Sequence, residues 1–121
     1  MLSSGKKREF VTGAVRDSAE GKPEMELLPY DLLMLRVAPL YGEGGRKYGN
    51  HNWRLGQPQS ACLGSLMRHL TKYMMGKKDE DHLAAVVFNA LSLLNVDQFH
   101  KDNPALYDIQ IKTRKEESKD E

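Results

Sequence analysis

The chain has 121 residues, of which 18 are basic and 17 acidic, for a net charge of +1. That length fits one domain with a single core, and the balanced charge gives no basis for bulk electrostatic binding to nucleic acid. No apolar run approaches the ~18 residues of a membrane span, the N-terminus lacks a secretory h-region, and the single cysteine, Cys62, suits a reducing cytoplasm and a small core position.

Residues 1–28 read as an irregular arm. The first ten, MLSSGKKREF, are polar and mobile in expectation. Gly13, Gly21 and Pro23 then break any regular period. Two readings stand for this arm. Either it is a lead-in that packs Phe10, Val11 and Leu27 on the core, or it is a loop in which Arg16 and Lys22, set among glycines, approach an anionic ligand.

Residues 29–97 carry the helical core. A first helix is expected from Pro29, a favoured first-turn residue, with Leu32, Leu35, Arg36 and Leu40 marking a stripe that has one polar intruder. Pro39 should kink or split it. Glu43 and Lys47 stand four apart, the spacing of an exposed ion pair. The crowding of Glu43, Arg46, Lys47, Tyr48, Asn52, Trp53 and Arg54 also suits a wall that stacks a base and holds phosphates. Trp53 is open to two readings, core anchor or stacking platform.

A second helix is expected over about residues 60–75, closed by Gly76, with His69 at the border of its apolar face. His69 is either a hydrogen-bonded core-edge histidine or a functional one. The next stretch, KKDEDHLAAVVFNALSLL, is the centre of the chain. Asp79, Glu80 and Asp81 suit the positive end of a helix, with Glu80 expected to face solvent. His82 and Asn89 are seven apart, so they fall about 20° from each other on one face, and a buried polar row needs partners or a ligand. The short GKKDED connection makes these two helices antiparallel and carries His69 towards His82. Beyond Asp97 periodicity is lost, and residues 98–121 read as a short segment and a charged tail. The expected architecture is an all-α bundle of three or four helices with no sheet. Its core is thin, and Met34, Met67, Met74 and Met75 offer apolar surface for a homo-oligomer.

The runs TGAVRDSAEGKPEMELLP, LYGEGGRKYGNHNW and RHLTKYMMGKKDEDHLAAVVFNAL resemble a family of small phage and prophage proteins, the dATP/dGTP diphosphohydrolase N-terminal domains. These are related to the all-α, MazG-like nucleoside triphosphate pyrophosphohydrolases. The resemblance spans about residues 10–96 and points at Lys47, Tyr48, Asn52, Trp53, His69, Asp81, His82 and Asn89. It implies hydrolysis of a purine (deoxy)nucleoside triphosphate to the monophosphate and pyrophosphate, in the host cytoplasm if phage-encoded. It also implies a divalent metal, Mg²⁺ or Mn²⁺. The wider superfamily holds Mg²⁺ with ExxE on one helix and ExxD on the next. This chain has no ExxE, and Asp79 and His82 stand where ExxD would. Glu24 and Glu26 replace an expected basic residue and aspartate in the arm.

On that basis Glu43, Asp79, Asp81 and His82 are the expected metal ligands. Lys47 and Arg54 are expected on phosphate oxygens, and Asn89 on a base edge or another part of the ligand. His69, His82 and Asp81 are the expected catalytic groups. The alternative is a catalytically silent nucleotide-binding or protein-interaction module on the same fold. An HD-type phosphohydrolase is disfavoured by the order Asp81-His82, and a DNA-binding role by the lack of a basic helix face.

Overall fold

The computed structural model describes residues 6–109 and 111. The first five residues and the charged tail from residue 112, for which mobility and solvation are expected, lie outside the described residues. The chain divides into two compact units, Met1–Tyr30 and Asp31–Glu121.

The first unit corrects the expectation that no sheet is present. Strands β1 (Lys7–Glu9) and β2 (Val15–Asp17) pair antiparallel, with Arg8 opposite Arg16. Three-residue strands are too short to leave an alternation signal. The turn that joins them closes through Phe10 N–H to Ala14 O at 2.9 Å and Gly13 N–H to Phe10 O at 2.8 Å. Gly13 sits there at φ 89°, a conformation that a side chain would strain. Arg8 Nε donates to Asp17 O at 3.0 Å, which eases the juxtaposition of two arginines. Lys22 follows in a turn closed by its own N–H on Ala19 O.

The second unit is all-α. Helix α1 runs through three consecutive segments, Tyr30–Leu32, a π-helical stretch Leu33–Val37, and Ala38–Tyr48. Just before Pro39, where a kink or split is expected, the helix carries this π stretch. Ala38 N–H reaches five residues back to Leu33 O. Proline lacks the N–H and crowds the carbonyl four residues earlier. A widened turn just before it accommodates both defects without ending the helix. A single 3₁₀ turn, Asn52–Leu55, leads into α2 (Gln59–Met74). Gly76, at φ 75°, closes α2 as expected.

Helix α3 (His82–Phe99) opens on Asp81, whose Oδ1 accepts from Ala84 N–H at 3.1 Å. Its apolar residues are spread around its circumference, the pattern of a central helix. It packs antiparallel along α2, with residue 69 facing 82 and residue 65 facing 89. The buried residues are Val37, Cys62, Ala84, Ala85 and Val96, joined by four polar ones from α3: His82, Asn89, Ser92 and Asn95. After α3 the chain returns to the start of α2 and satisfies its free N–H groups. Gln59 N–H donates to Leu106 O at 2.8 Å and Ser60 N–H to Asp108 Oδ1 at 2.9 Å. Gly56 permits this return: its φ is 94°, and a Cβ there would stand 2.7 Å from Leu106 Cδ1. No helix among the described residues is long and apolar enough to cross a membrane.

Candidate functional site

Two adjoining cavities open between α1 and the α2–α3 pair. The first, about 320 Å³, is largely aromatic and is lined by Tyr41, Tyr48, Trp53 and Phe88, with Asn52, His51, Gln57 and three glycines, Gly44, Gly45 and Gly49. The second, about 380 Å³, carries the charged and polar side chains Glu43, Lys47, Ser65, His69, Glu80 and Asn89 on walls shared with Leu40, Ala61, Ala85 and Phe88. Gly44, Tyr48, Gln57 and Phe88 line both, so the two adjoin. Each lies in the size range of small-molecule sites, ~300–1,000 Å³.

The aromatic cavity is held from behind. Tyr41 meets the Trp53 ring edge-on at 5.6 Å and the Phe88 ring at 4.9 Å. Burial pushes the Tyr41 hydroxyl up from its ordinary pKa. Trp53 is fixed by the segment it belongs to. Asn95, buried in α3, donates from Nδ2 to Trp53 O at 3.1 Å and Arg54 O at 3.4 Å, and accepts from Arg54 Nη1 at 3.0 Å. Arg54 lays its guanidinium 4.2 Å over the Trp53 ring and 5.3 Å from that of Phe99. Trp53 is thus half-buried, anchored through its backbone, and on the wall of the cavity. Arg54 is spent on that anchoring and lines neither of the two cavities.

The polar cavity meets the start of α3 at Glu80 and Ala85, and His69 lines it, with His82 buried behind and not among its lining residues. His82, 2 % exposed, donates from Nε2 to Asp79 Oδ1 at 2.8 Å, and its Nδ1 faces His69 Nδ1 at 2.9 Å. The carboxylate can only accept, so Nε2 of His82 carries a proton, and a further proton lies between the two Nδ1 atoms. The hydrogen bond from His82, ahead of smaller effects, holds the Asp79 carboxyl below the usual carboxylate range.

The carboxylates expected to gather at one metal do not gather. Asp81 receives a bidentate fork from Arg36, Nε to Oδ2 at 2.9 Å and Nη2 to Oδ1 at 2.7 Å, while also capping α3. That fork keeps its carboxyl well below the ordinary range. Glu43 takes Lys47 Nζ at 2.7 Å, which lowers the glutamate pKa and raises that of the lysine. Among the described residues, the three metal-ligating side chains that converge are His69, Glu80 and His82, with one ligand atom from each within 4.8 Å of the others. Glu80 is exposed, as expected, but the space it faces is the polar cavity.

Asn89, 7 % exposed, donates both amide hydrogens inward, to Ala85 O at 2.8 Å and Ser65 Oγ at 3.2 Å. Its Oδ1 is the atom left to a ligand in the cavity it lines. Lys47, Tyr48, Asn52 and Trp53 line the two cavities. Arg16, in β2, and Lys22, in the turn after it, belong to the first unit. Cys62 is buried beside Gln57, its thiol pushed up by burial, in keeping with a core residue. Helical spacing does not single out Ser65 or Asn95, and it assigns Glu80 only to solvent.

A family model described as dATP/dGTP diphosphohydrolase, N-terminal, matches residues 12–104. No curated protein and no solved structure matches the chain.

Proposed function

Because the chain belongs to the dATP/dGTP diphosphohydrolase N-terminal family, we propose that it is a pyrophosphohydrolase that splits purine deoxynucleoside triphosphates into the monophosphate and pyrophosphate. The observation that carries this reading is the adjacency, across Gly44 and Tyr48, of an aromatic cavity and one that carries Glu43, Lys47, His69 and Glu80. A purine triphosphate has the same two-part chemistry. The base lies against Tyr48 and Trp53, where apolar area and stacking favour it. Asn52 and Gln57 supply amide groups for its edge. The phosphates occupy the polar cavity, where Lys47 exchanges its bond to Glu43 for phosphate oxygens. Asn89 Oδ1 accepts from a donor on the nucleotide and fixes its depth.

Cleavage between the α and β phosphates builds negative charge on the departing pyrophosphate. The residues suited to hold a divalent metal there are His69, Glu80 and His82; when bound, such a metal offsets that charge and makes a coordinated water more acidic. Asp79 keeps His82 in one tautomer, while Arg36 and Asp81 hold the start of α3 in place. A cytoplasmic setting goes with this substrate. Self-association does too: Leu32, Met34 and Leu35 on α1 and Met67, Met74 and Met75 at α2 are more than half exposed, surface that a second copy would cover.

The test is product analysis by anion exchange after incubation with each common NTP and dNTP and either Mg²⁺ or Mn²⁺. Conversion of dATP and dGTP to monophosphate and pyrophosphate is expected. Release of orthophosphate, or no turnover with any metal, would sink the enzyme reading. Binding without turnover would leave the silent nucleotide-binding module in its place.

A further inference from the structure

The two imidazoles at the α2–α3 junction form an arrangement that a structural role does not require. A histidine buried to 2 % needs both ring nitrogens satisfied, and Asp79 takes one of them. His82 turns the other, Nδ1, onto a second imidazole at 2.9 Å, and Glu80, which has no cation within ion-pair distance among the described residues, brings a carboxylate oxygen within 4.8 Å of a ligand atom on each ring. The donor set is two imidazoles and one carboxylate, three ligands of the kind a zinc-like site uses. A carboxylate accepting the far N–H of a ligating histidine, as Asp79 does, is the outer-shell pattern that fixes such a ligand's tautomer and raises its basicity.

We propose that His69, Glu80 and His82 bind one first-row transition dication, of the Mn²⁺, Co²⁺ or Zn²⁺ class, in preference to Mg²⁺, and that Asp79 is the positioning residue for His82. The preference follows from the donors. Mg²⁺ favours an all-oxygen shell and keeps its waters, whereas two imidazoles and one carboxylate suit the later metals. Three protein ligands leave positions for phosphate oxygen or water. The role of this metal in hydrolysis rests on reading the polar cavity as the phosphate compartment; its binding does not.

The test uses the full chain, stripped with chelator and free of nucleotide, titrated with CoCl₂ and followed by visible absorption. One saturable equivalent is expected, with the ligand-field band of a site containing nitrogen. About a hundredfold excess of Mg²⁺ should not displace it. His69→Gln and Glu80→Gln, at half-buried and exposed positions, should fold and weaken Co²⁺ binding at least about tenfold. Asp79→Ala should weaken it about 10–100-fold. In long-range ¹H–¹⁵N spectra of the metal-free protein, the same change should release His82 from its Nε2–H tautomer, a signature that loss of helix capping alone does not produce. The proposal is overturned if Co²⁺ fails to bind, if His69→Gln and Glu80→Gln bind it as the parent does, or if equimolar Mg²⁺ displaces it. Failure here is distinguishable from failure of the nucleotide reading, because dATP binding in chelator can be measured on the same sample.

Discussion

Gly44 gives a prediction in which stability and binding move in opposite directions. It lies at the middle of the α1 face that borders the cavities, with Leu40, Tyr41, Glu43, Lys47 and Tyr48 around it, and it lines both cavities. A Cβ built on it meets nothing within 4 Å, so the first carbon of a side chain enters open space. Glycine inside a helix is less favourable than alanine or leucine by roughly 0.8–1.0 kcal/mol. Gly44→Leu should therefore raise the melting temperature by roughly 3–8 °C, given ~4–8 °C per kcal/mol in a domain of this size. The same isobutyl group stands at the passage between the base and phosphate compartments. Affinity for dATP should fall at least about tenfold, or ~1.4 kcal/mol. Thermal melts with and without dATP, alongside calorimetric titration, measure both quantities. A stabilised variant that binds dATP as well as the parent would show that the nucleotide does not cross Gly44. A destabilised one would show that the space over α1 is not open.

Three further outcomes are expected. Asn95→Ala removes the hydrogen bonds that hold the Trp53–Arg54 segment, at about 1 kcal/mol for each of the stronger two, so the melting temperature should drop on the order of 10 °C and KM should rise more than kcat falls; an unchanged melt would contradict the anchoring role. Asn89→Leu should alter stability by less than about 1 kcal/mol, since Ser65 can turn to water and Ala85 O keeps its helical partner; it should shrink the dATP-induced rise in melting temperature, and an equal rise in both proteins removes Asn89 from the site. The bonds from Ser60 hold Asp108 below the ordinary carboxylate range, so its contribution is present above the unfolded pKa near ~3.9 and is lost as pH falls through the lower folded value. Asp108→Asn should flatten the loss of stability below about pH 4, and parallel acid curves for the two proteins would exclude that contribution.

The parts of this molecule legible in its sequence are those governed by helical spacing. An apolar stripe locates α2, a long apolar run behind three acids locates α3, and the short loop between them makes the pair antiparallel, which carries His69 towards His82. The seven-residue interval likewise put His82 and Asn89 on one buried row. The rest turned on partners far apart in sequence. Asp79, Glu80 and Asp81 are three acids before a helix, and their roles depend on where that helix starts. With Asp81 as the cap, Asp79 meets the His82 ring, Glu80 faces the cavity, and Asp81 is taken by Arg36 from 45 positions away. Arg54 reads as a phosphate ligand until Asn95 and the Trp53 ring are seen to hold it. The N-terminal hairpin escaped because its strands are three residues long and its pairing is specified by a turn.

Trp53 is the single tryptophan of the chain, and it lines the cavity assigned to the base. Its emission, excited at the red edge where purines do not absorb, therefore reports directly on whether a purine enters that cavity. Titration of the parent with dATP or dGTP should quench or shift Trp53 emission saturably, and tripolyphosphate at the same concentrations should leave it unchanged. Calorimetric binding of dATP with no change in Trp53 emission would contradict the two-compartment site.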